Sequence, residues 1–307
     1  MYMVKRIGTG LVYIGVLVGF FFLRDVDHRL FGILVYLFSL LGTHEMIRAI
    51  SGDRRVEEGN PPDTVMAMSL SQKIATYTYA ALFTPLFYLV EHFAPHEGYR
   101  GLLVLSFMLA LVLMCLLVFD HRHTTIPGTG ASMICGFYPT AILATMLLAN
   151  EFRTGSTLAL MLMFVIPAVA DTFAFAVGCV LKGPKLCPNI SPKKTISGAL
   201  GGIVFGTASS VLLYWLYTLT SDYVYAGIGS SWAGAPWLMF AFIGFVASIM
   251  TEFGDLVESV IKRRLGIKDM GSLLPAHGGI LDRIDGTLFA STFIYIVFAL
   301  FIVYTWL

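Results

Sequence analysis

The chain has 307 residues, of which 57% are apolar and 13% are charged, and its mean hydropathy is +0.79. Soluble domains carry about 25% charged residues, so this composition excludes an ordinary soluble globular protein. The formal net charge is only +1, but the basic residues are distributed unevenly between the loops.

Nine apolar stretches follow one another along the chain. Each is close to the roughly 20 residues that a helix needs to cross a hydrocarbon core about 30 Å thick. Because they lack period-two alternation, a membrane β-barrel is excluded, and we predict an all-α polytopic integral membrane protein with about nine transmembrane helices. The predicted spans are residues 7–23, 30–50, 74–91, 101–119, 131–149, 157–181, 199–219, 237–257 and 287–306.

The first stretch follows Lys5 and Arg6, a pattern that a cleaved secretory signal also shows. No small-x-small cleavage site follows Phe22, and a second apolar run comes soon after Arg24. We therefore favour a retained first helix over a signal peptide.

The loop charges predict the orientation of the chain. With the N-terminus in the cytoplasm, most of the 20 Lys and Arg residues lie on the cytoplasmic side, as the positive-inside rule requires. The loops at 182–198 and 258–286 then both face the cytoplasm, since two crossings separate them, and they can form one site. The connector from Thr220 to Pro236 carries a single charge, Asp222, and is expected on the opposite side.

Few ionisable residues other than Glu45 and Arg48 lie in the first five spans. The later spans carry acids and are bracketed by basic, glycine-rich loops. No internal repeat is evident, which disfavours a transporter built from duplicated halves. We assign residues 1–150 to N-terminal transmembrane helices of unclear role and residues 151–307 to a C-terminal transmembrane catalytic domain.

The sixth span carries Asp171 well inside its apolar run, and an isolated intramembrane carboxylate is a functional candidate by default. After this span comes the segment SPKKT, from Ser191 to Thr195. Two adjacent lysines between hydroxyls, followed by a glycine-rich helix start, suit a polyphosphate. A positive-inside anchor is the alternative explanation for Lys193 and Lys194.

The eighth span ends in an acidic stripe. Helical spacing places four polar side chains along one face: Glu252, Asp255, Ser259 and Lys262. Insertion of an aspartate at the centre of a span costs about 2.5–3.5 kcal/mol, so acids here should face a wet cavity, a cation or a partner. A helix that simply leaves the membrane, with Glu258 and Lys262 as a surface pair, is the alternative.

The loop before the ninth span ends in LLPAHGGILDRIDG, which places Asp282 and Asp285 one helical turn apart. Carboxylate oxygens suit a hard cation such as Mg2+. Gly278 and Gly279 precede the helix start, and such a position favours an anion. A cation site beside an anion site is therefore predicted here.

Two residues of this segment have simpler explanations as well. His277 alone is as often a capping or solvated loop residue as a ligand or base. Arg283, placed between Asp282 and Asp285 in the sequence, is also explained as a charge that neutralises them.

From Ser259 to Asp285 the chain reads SVIKRRLGIKDMGSLLPAHGGILDRID. This run resembles the diagnostic segment of the phosphatidate cytidylyltransferases, also called CDP-diacylglycerol synthases. Asp171, the SPKKT element, and Gly254 with Asp255 also look like that family. Relatives usually carry an acidic residue at the position of Ser197 and a basic one at Cys179, and residues 1–150 show no distinctive motif.

The resemblance implies a Mg2+-dependent reaction in which phosphatidate attacks the α-phosphorus of CTP, giving CDP-diacylglycerol and pyrophosphate. In relatives two cations are held by aspartates matching Asp255 and Asp282, so these are the expected metal ligands for Mg2+ and a second cation. Asp285 is expected as a further or supporting ligand, and His277 as a residue that orients a phosphate or transfers a proton. The expected substrate contacts are Asp171, Ser191, Lys193, Lys194, Thr195, Ser259, Lys262, Arg263, Lys268, Gly278, Gly279 and Arg283.

The expected partners are CTP, phosphatidic acid and membrane lipids, with no nucleic acid, and relatives suggest a homodimer. The expected location is a bacterial inner (cytoplasmic) membrane, with the site facing the cytoplasm. The competing hypotheses are a CTP-using lipid kinase, a cytidylyltransferase for another lipid phosphate, and an ion-coupled transporter that uses Asp171 and Asp255 as a relay.

Overall fold

The computed structural model describes residues 2–53, 56, 67–220, 236–274 and 278–302. The chain divides into two compact units. The first comprises Met1–Leu147 and Ile261–Ile284, and the second comprises Leu148–Val260 and Asp285–Leu307.

The N-terminal half of the chain is helical throughout its apolar stretches. Its elements are α1 (Tyr2–Val26), α2 (Leu30–Ile50), α3 (Leu70–Phe93), α4 (Gly98–Phe119), α5 (Ile126–Gly136), a π-helical turn (Phe137–Ala141) and α6 (Ile142–Asn150). In the C-terminal half follow α7 (Ser156–Leu181), β1 (Lys185–Cys187), β2 (Ser191–Thr195), α8 (Ile196–Thr220), α9 (Pro236–Leu265), α10 (Leu281–Val297) and a second π-helical turn (Phe298–Ile302).

These elements confirm the predicted all-α class and the polytopic membrane architecture. All nine predicted spans fall on helices, although 303–306 of the last span lie outside the described residues. Within the described part of the chain, seven helical stretches are long and apolar enough to cross a membrane: Leu30–Ile50, Gly98–Phe119, Ile126–Asn150, Ser156–Leu181, Ile196–Thr220, Pro236–Leu265 and Leu281–Phe301. The remaining two predicted spans lie on α1 and α3, and the connector 221–235 is outside the described residues.

Side chains cap the N-termini of two helices in the first unit. Ser69 and Gln72 form a reciprocal capping box at the start of α3, which satisfies backbone N–H groups that have no partner within the helix. Before α4, Glu91 uses both carboxylate oxygens, accepting from the N–H of His96 at 2.6 Å and of Gly98 at 3.0 Å. Both caps fix where the chain turns between helices.

A buried hydroxyl network joins α2 to the π-helical turn of the first unit. The Thr140 hydroxyl lies 2.8 Å from that of Ser39 and 2.9 Å from that of Thr43. A Cβ atom built on Gly42 would lie 3.1 Å from Pro139 Cβ, so the two segments pack closely. Small and hydroxyl-bearing residues are typical of such helix contacts in membranes.

In the second unit, glycines let α7 and α8 approach each other closely. A Cβ on Gly198 would lie 2.6 Å from the Ala174 carbonyl oxygen, and a Cβ on Gly201 would lie 2.6 Å from Val177 Cβ. Backbone and β-branched atoms cannot move aside at little cost, so only glycine fits at these positions.

The loop between α7 and α8 forms a small antiparallel hairpin. Strand β1 pairs with β2 in the register Lys185↔Thr195 and Cys187↔Ser191. The turn into it uses Lys182 (φ 55°) and Gly183 (φ 113°), both in the left-handed half of backbone space. The hairpin therefore fixes the SPKKT segment directly before α8.

Candidate functional site

A cavity of about 680 Å3 lies in the second unit, bordered by α7, the hairpin, α8 and α9. Asp171 of α7 lines it together with Glu252 and Asp255 of α9. Four lysines also line the cavity: Lys182, Lys185, Lys193 and Lys194. Carboxylates and ammonium groups therefore border one wet space, which suits an anionic ligand that brings its own cations.

Lys194 links the two acids of α9. Its Nζ lies 2.6 Å from Glu252 Oε2 and 2.6 Å from Asp255 Oδ2, and its side chain is only 19% exposed. Burial by itself lowers the pKa of Lys194, but the charges and hydrogen bonds of Asp255 and Glu252 outweigh it and raise the pKa above its ordinary value. The ammonium is thus a fixed positive charge next to two carboxylates.

The donor set around Asp255 fits a hard cation. Ser259 donates to Asp255 Oδ1 at 3.3 Å, and in the described part of the chain Glu252 Oε1 is buried without a hydrogen-bond partner. Among the described residues no three His, Cys, Asp or Glu side chains converge as a metal cage. Mg2+ usually takes only one or two protein carboxylates together with water and substrate phosphates, so a pair of acids is sufficient.

Two hydroxyls of the SPKKT segment have different surroundings. Thr195 Oγ1 accepts from the Gly198 N–H at 3.1 Å, so it caps the start of α8 while also lining the cavity. Ser191 lies in β2, half-buried, and does not line the cavity. Substrate contacts from both residues remain predictions.

In the first unit, Asp282 lies in the first turn of α10 and binds the backbone of the loop that precedes this helix. Its Oδ1 lies 2.8 Å from Lys262 Nζ, and its Oδ2 accepts from the N–H groups of Met270 at 2.9 Å and Gly279 at 2.8 Å. The Asp282 side chain is only 4% exposed. The carboxylate therefore holds the loop in shape through Oδ2 and pairs with Lys262 through Oδ1.

The glycines of this loop fit around the same carboxylate. Gly278 has φ +80°, and a Cβ there would lie 2.8 Å from Asp282 Oδ2. The Gly279 N–H, which we expected to serve an anion, donates to Asp282 in this structure. Anion binding by Gly278 and Gly279 remains a prediction.

Comparison with known proteins identifies the family. Residues 4–301 match the profile described as the Cytidylyltransferase family. The chain belongs to this family. A protein of Mycobacterium bovis named phosphatidate cytidylyltransferase is 30% identical over 312 residues, covering 97% of this chain and 87% of that protein.

Two further relatives of this chain carry the same name and match more locally. The Brucella abortus protein (strain 2308) is 38% identical over 139 residues, covering 45% of this chain and 46% of the relative. The Bacillus subtilis protein is 39% identical over 131 residues, covering 43% of this chain and 44% of the relative. The match to these two thus spans less than half of the length of each.

The remaining predicted site residues lie in both units. Arg263, Lys268 and Arg283 are exposed in the first unit. Asp285 is buried in the second unit, where its Oδ1 accepts from the Gly286 N–H at 2.7 Å. His277 lies outside the described residues.

Two acids, Glu252 and Glu45, were not assigned to the site from the sequence. Glu252 was recognised as part of the acidic stripe, but its ion pair with Lys194 joins residues on different elements. Glu45 was noted as a rare acid in a span, and it accepts from the Ile280 N–H at 3.0 Å and the Leu281 N–H at 2.9 Å. In both cases an acid in an apolar helix was the available signal.

Proposed function

We propose that this chain is a phosphatidate cytidylyltransferase, which transfers CMP from CTP to phosphatidic acid and releases pyrophosphate. The observation that carries the proposal is the ion-paired cluster of Lys194 with Glu252 and Asp255, in a cavity lined by three further lysines. Membership of the Cytidylyltransferase family and the name shared by its relatives support the same reaction.

The chemistry requires placement and charge compensation rather than a covalent enzyme residue. An oxygen of the phosphatidate phosphate forms a bond to the α-phosphorus of CTP, and the bond from that phosphorus to the bridging oxygen of the β-phosphate breaks. The lipid phosphate is already ionised, so it needs no activation by a general base. Catalysis then depends on orientation and on stabilising negative charge in the transition state.

The residues divide this work by charge. The cavity lysines bind and orient the triphosphate, and Lys194 also keeps Glu252 and Asp255 at fixed positions. Asp255, with Glu252 as a neighbouring donor, is proposed to hold Mg2+, which supplies charge neutralisation at the phosphates when bound. In the first unit, Asp282, which pairs with Lys262, is proposed as a ligand of a second cation.

The location completes the proposal. Seven candidate spans make the chain an integral membrane protein, and we propose the inner membrane of a bacterium with the site open to the cytoplasm. Phosphatidate then arrives laterally from the bilayer and CTP from the cytoplasm. A homodimer is also proposed, and the mass of the protein–detergent complex measures it.

The test is CMP incorporation from labelled CTP into phosphatidate by the purified protein in detergent. We expect CDP-diacylglycerol and pyrophosphate in equal amounts with Mg2+, no product with excess chelator, and a loss of at least about 100-fold for Asp255→Asn. The matched control is Asp53→Asn, which changes a carboxylate outside the cavity. A folded protein that makes no product would contradict the proposal, and transport of a labelled ion without turnover would support the transporter hypothesis instead.

A further inference from the structure

Glu45 is an acid buried within a membrane span, and the proposed reaction does not use it directly. The residue lies on α2 and is 5% exposed. A carboxylate in a span is costly to insert, so its retention requires strong compensating contacts. Those contacts come from the far end of the chain.

Both carboxylate oxygens of Glu45 bind the start of α10. Oε1 accepts from the Ile280 N–H at 3.0 Å and Oε2 from the Leu281 N–H at 2.9 Å. The first N–H groups of a helix have no partner within it, and the helix dipole places partial positive charge there. An anionic acceptor at this position therefore stabilises the helix start and fixes its direction.

The loop before α10 is shaped to admit the Glu45 carboxylate. A Cβ atom at Gly271 or at Gly279 would collide with that carboxylate. The loop therefore approaches Glu45 with bare backbone on two sides. Gly279 also donates its N–H to Asp282 at 2.8 Å, so one short segment is held by Glu45 and by Asp282 together.

We propose that Glu45 is a positioning residue, which sets the orientation of Asp282 by anchoring the N-terminus of α10 and the loop 278–281. This inference rests on the proposed function, because Asp282 is assigned there as a ligand of the reaction's cations. Glu45 accepts from the backbone N–H groups of Ile280 and Leu281, directly before Asp282. Glu45 therefore affects turnover through the position of the Asp282 carboxylate, because Asp282 directly follows Leu281, which Glu45 binds.

The chain contains a matched control for this substitution. Glu91 also accepts two backbone N–H groups with its two oxygens, from His96 and Gly98 at the start of α4. It lies in the same unit as Glu45, but the start of α4 that it caps carries none of the predicted site residues. Glu91→Gln therefore removes the same kind of cap without disturbing Asp282.

The experiment compares Glu45→Gln, Glu45→Asp and Glu91→Gln with the wild-type chain in detergent. Glu45→Gln should lower kcat by at least about 10-fold, because a neutral amide offers one acceptor to two donors and loses the charge. Glu45→Asp should recover part of kcat, because it retains the charge with a shorter reach. Glu91→Gln should stay within about twofold of wild type.

Hydrogen exchange supplies a readout that does not depend on turnover. Exchange of a peptide covering 278–283 should accelerate in Glu45→Gln, while peptides from α3 stay unchanged, since the lost bonds belong to Ile280 and Leu281. Unchanged exchange in 278–283, or wild-type kcat in Glu45→Gln, would overturn the inference, as would an equal loss in Glu91→Gln. An inactive wild-type protein would instead reject the proposed function, so the two failures are distinguishable.

Discussion

At the scale of single residues, the ion-paired cluster in the cavity is the most sensitive point of the site. Lys194 compensates the negative charge of two carboxylates, and less than one fifth of its side chain is exposed. Removing one partner of a buried ion pair leaves uncompensated charge, which costs about 3–5 kcal/mol. The structure therefore couples the stability of this region to the residue proposed to bind the triphosphate.

Lys194→Met should lower the free energy of unfolding by about 3–5 kcal/mol and abolish measurable CTP binding. Lys193→Met is the control, because Lys193 is exposed and should lose CTP affinity with a stability change below about 1 kcal/mol. Adding Glu252→Gln to Lys194→Met should restore part of the stability. Denaturant titration in mixed micelles measures the free energy of unfolding, and calorimetry measures CTP binding.

The pH dependence of this effect follows from the raised pKa of Lys194. A group with a raised pKa in the folded state contributes its full stabilisation below its unfolded pKa, ordinarily 10.5, and loses it as pH rises through the folded value. The stability difference between wild type and Lys194→Met should therefore be constant between about pH 6 and 9. A difference that disappears within this range would contradict the assignment.

At the scale of elements, the short hairpin and the α7–α8 contact place the cavity lysines. Gly198 lies immediately after the hairpin, where a side chain would meet the Ala174 carbonyl. Gly130 on α5 has open space beside it, because no heavy atom lies within 4 Å of the position that a Cβ would take. Alanine substitutions at these two glycines therefore distinguish the effect of close helix packing on stability from that of helix propensity.

Gly198→Ala should destabilise the protein by about 1–3 kcal/mol and weaken CTP binding, because α8 must move away from α7. Gly130→Ala should be neutral or stabilising by up to about 1 kcal/mol, since alanine favours a helix where it fits. Thermal unfolding in detergent and CTP titration test both variants. Equal effects of the two substitutions would show that close packing at Gly198 is unimportant.

Some of these elements were predictable from the sequence and others were not. Apolar length alone predicted the helices α1 to α10 that the structure describes, because lipid leaves the backbone no alternative to internal hydrogen bonds. The strands around Lys185 and Ser191 were expected as loop, since three to five polar residues give no usable periodicity. Residues 137–141 were expected as ordinary helix, but a π-helical turn occurs there.

For the candidate site, residue types were predictable but pairings were not. Asp171, Lys194 and Asp255 were identified from acids in spans and lysines near glycines, and all three line one cavity. The contact between Glu45 and Leu281 joins positions 236 residues apart, which no local spacing can indicate. Long-range contacts of this kind depend on helix packing, and packing cannot be read from a single sequence.

At the scale of the whole molecule, the unequal distribution of loop charge predicts which face uses CTP. Most Lys and Arg residues fall in loops that the positive-inside rule assigns to the cytoplasm, including the hairpin with Lys193 and Lys194. The connector at 221–235, which the same rule assigns to the other side, carries one charge, Asp222. A nucleotide with several negative charges cannot cross the bilayer unaided, so only one face can supply it.

Sealed vesicles of opposite orientation test this prediction directly. Inside-out vesicles, which expose the cytoplasmic face, should incorporate label from external CTP without detergent, and right-side-out vesicles only after permeabilisation. A Lys193→Cys variant, made after replacing Cys115, Cys135, Cys179 and Cys187, should react with an impermeant thiol reagent in inside-out vesicles alone. Turnover by intact right-side-out vesicles would mean that the loops carrying the lysines face the other side, and the positive-inside argument would then fail for this chain.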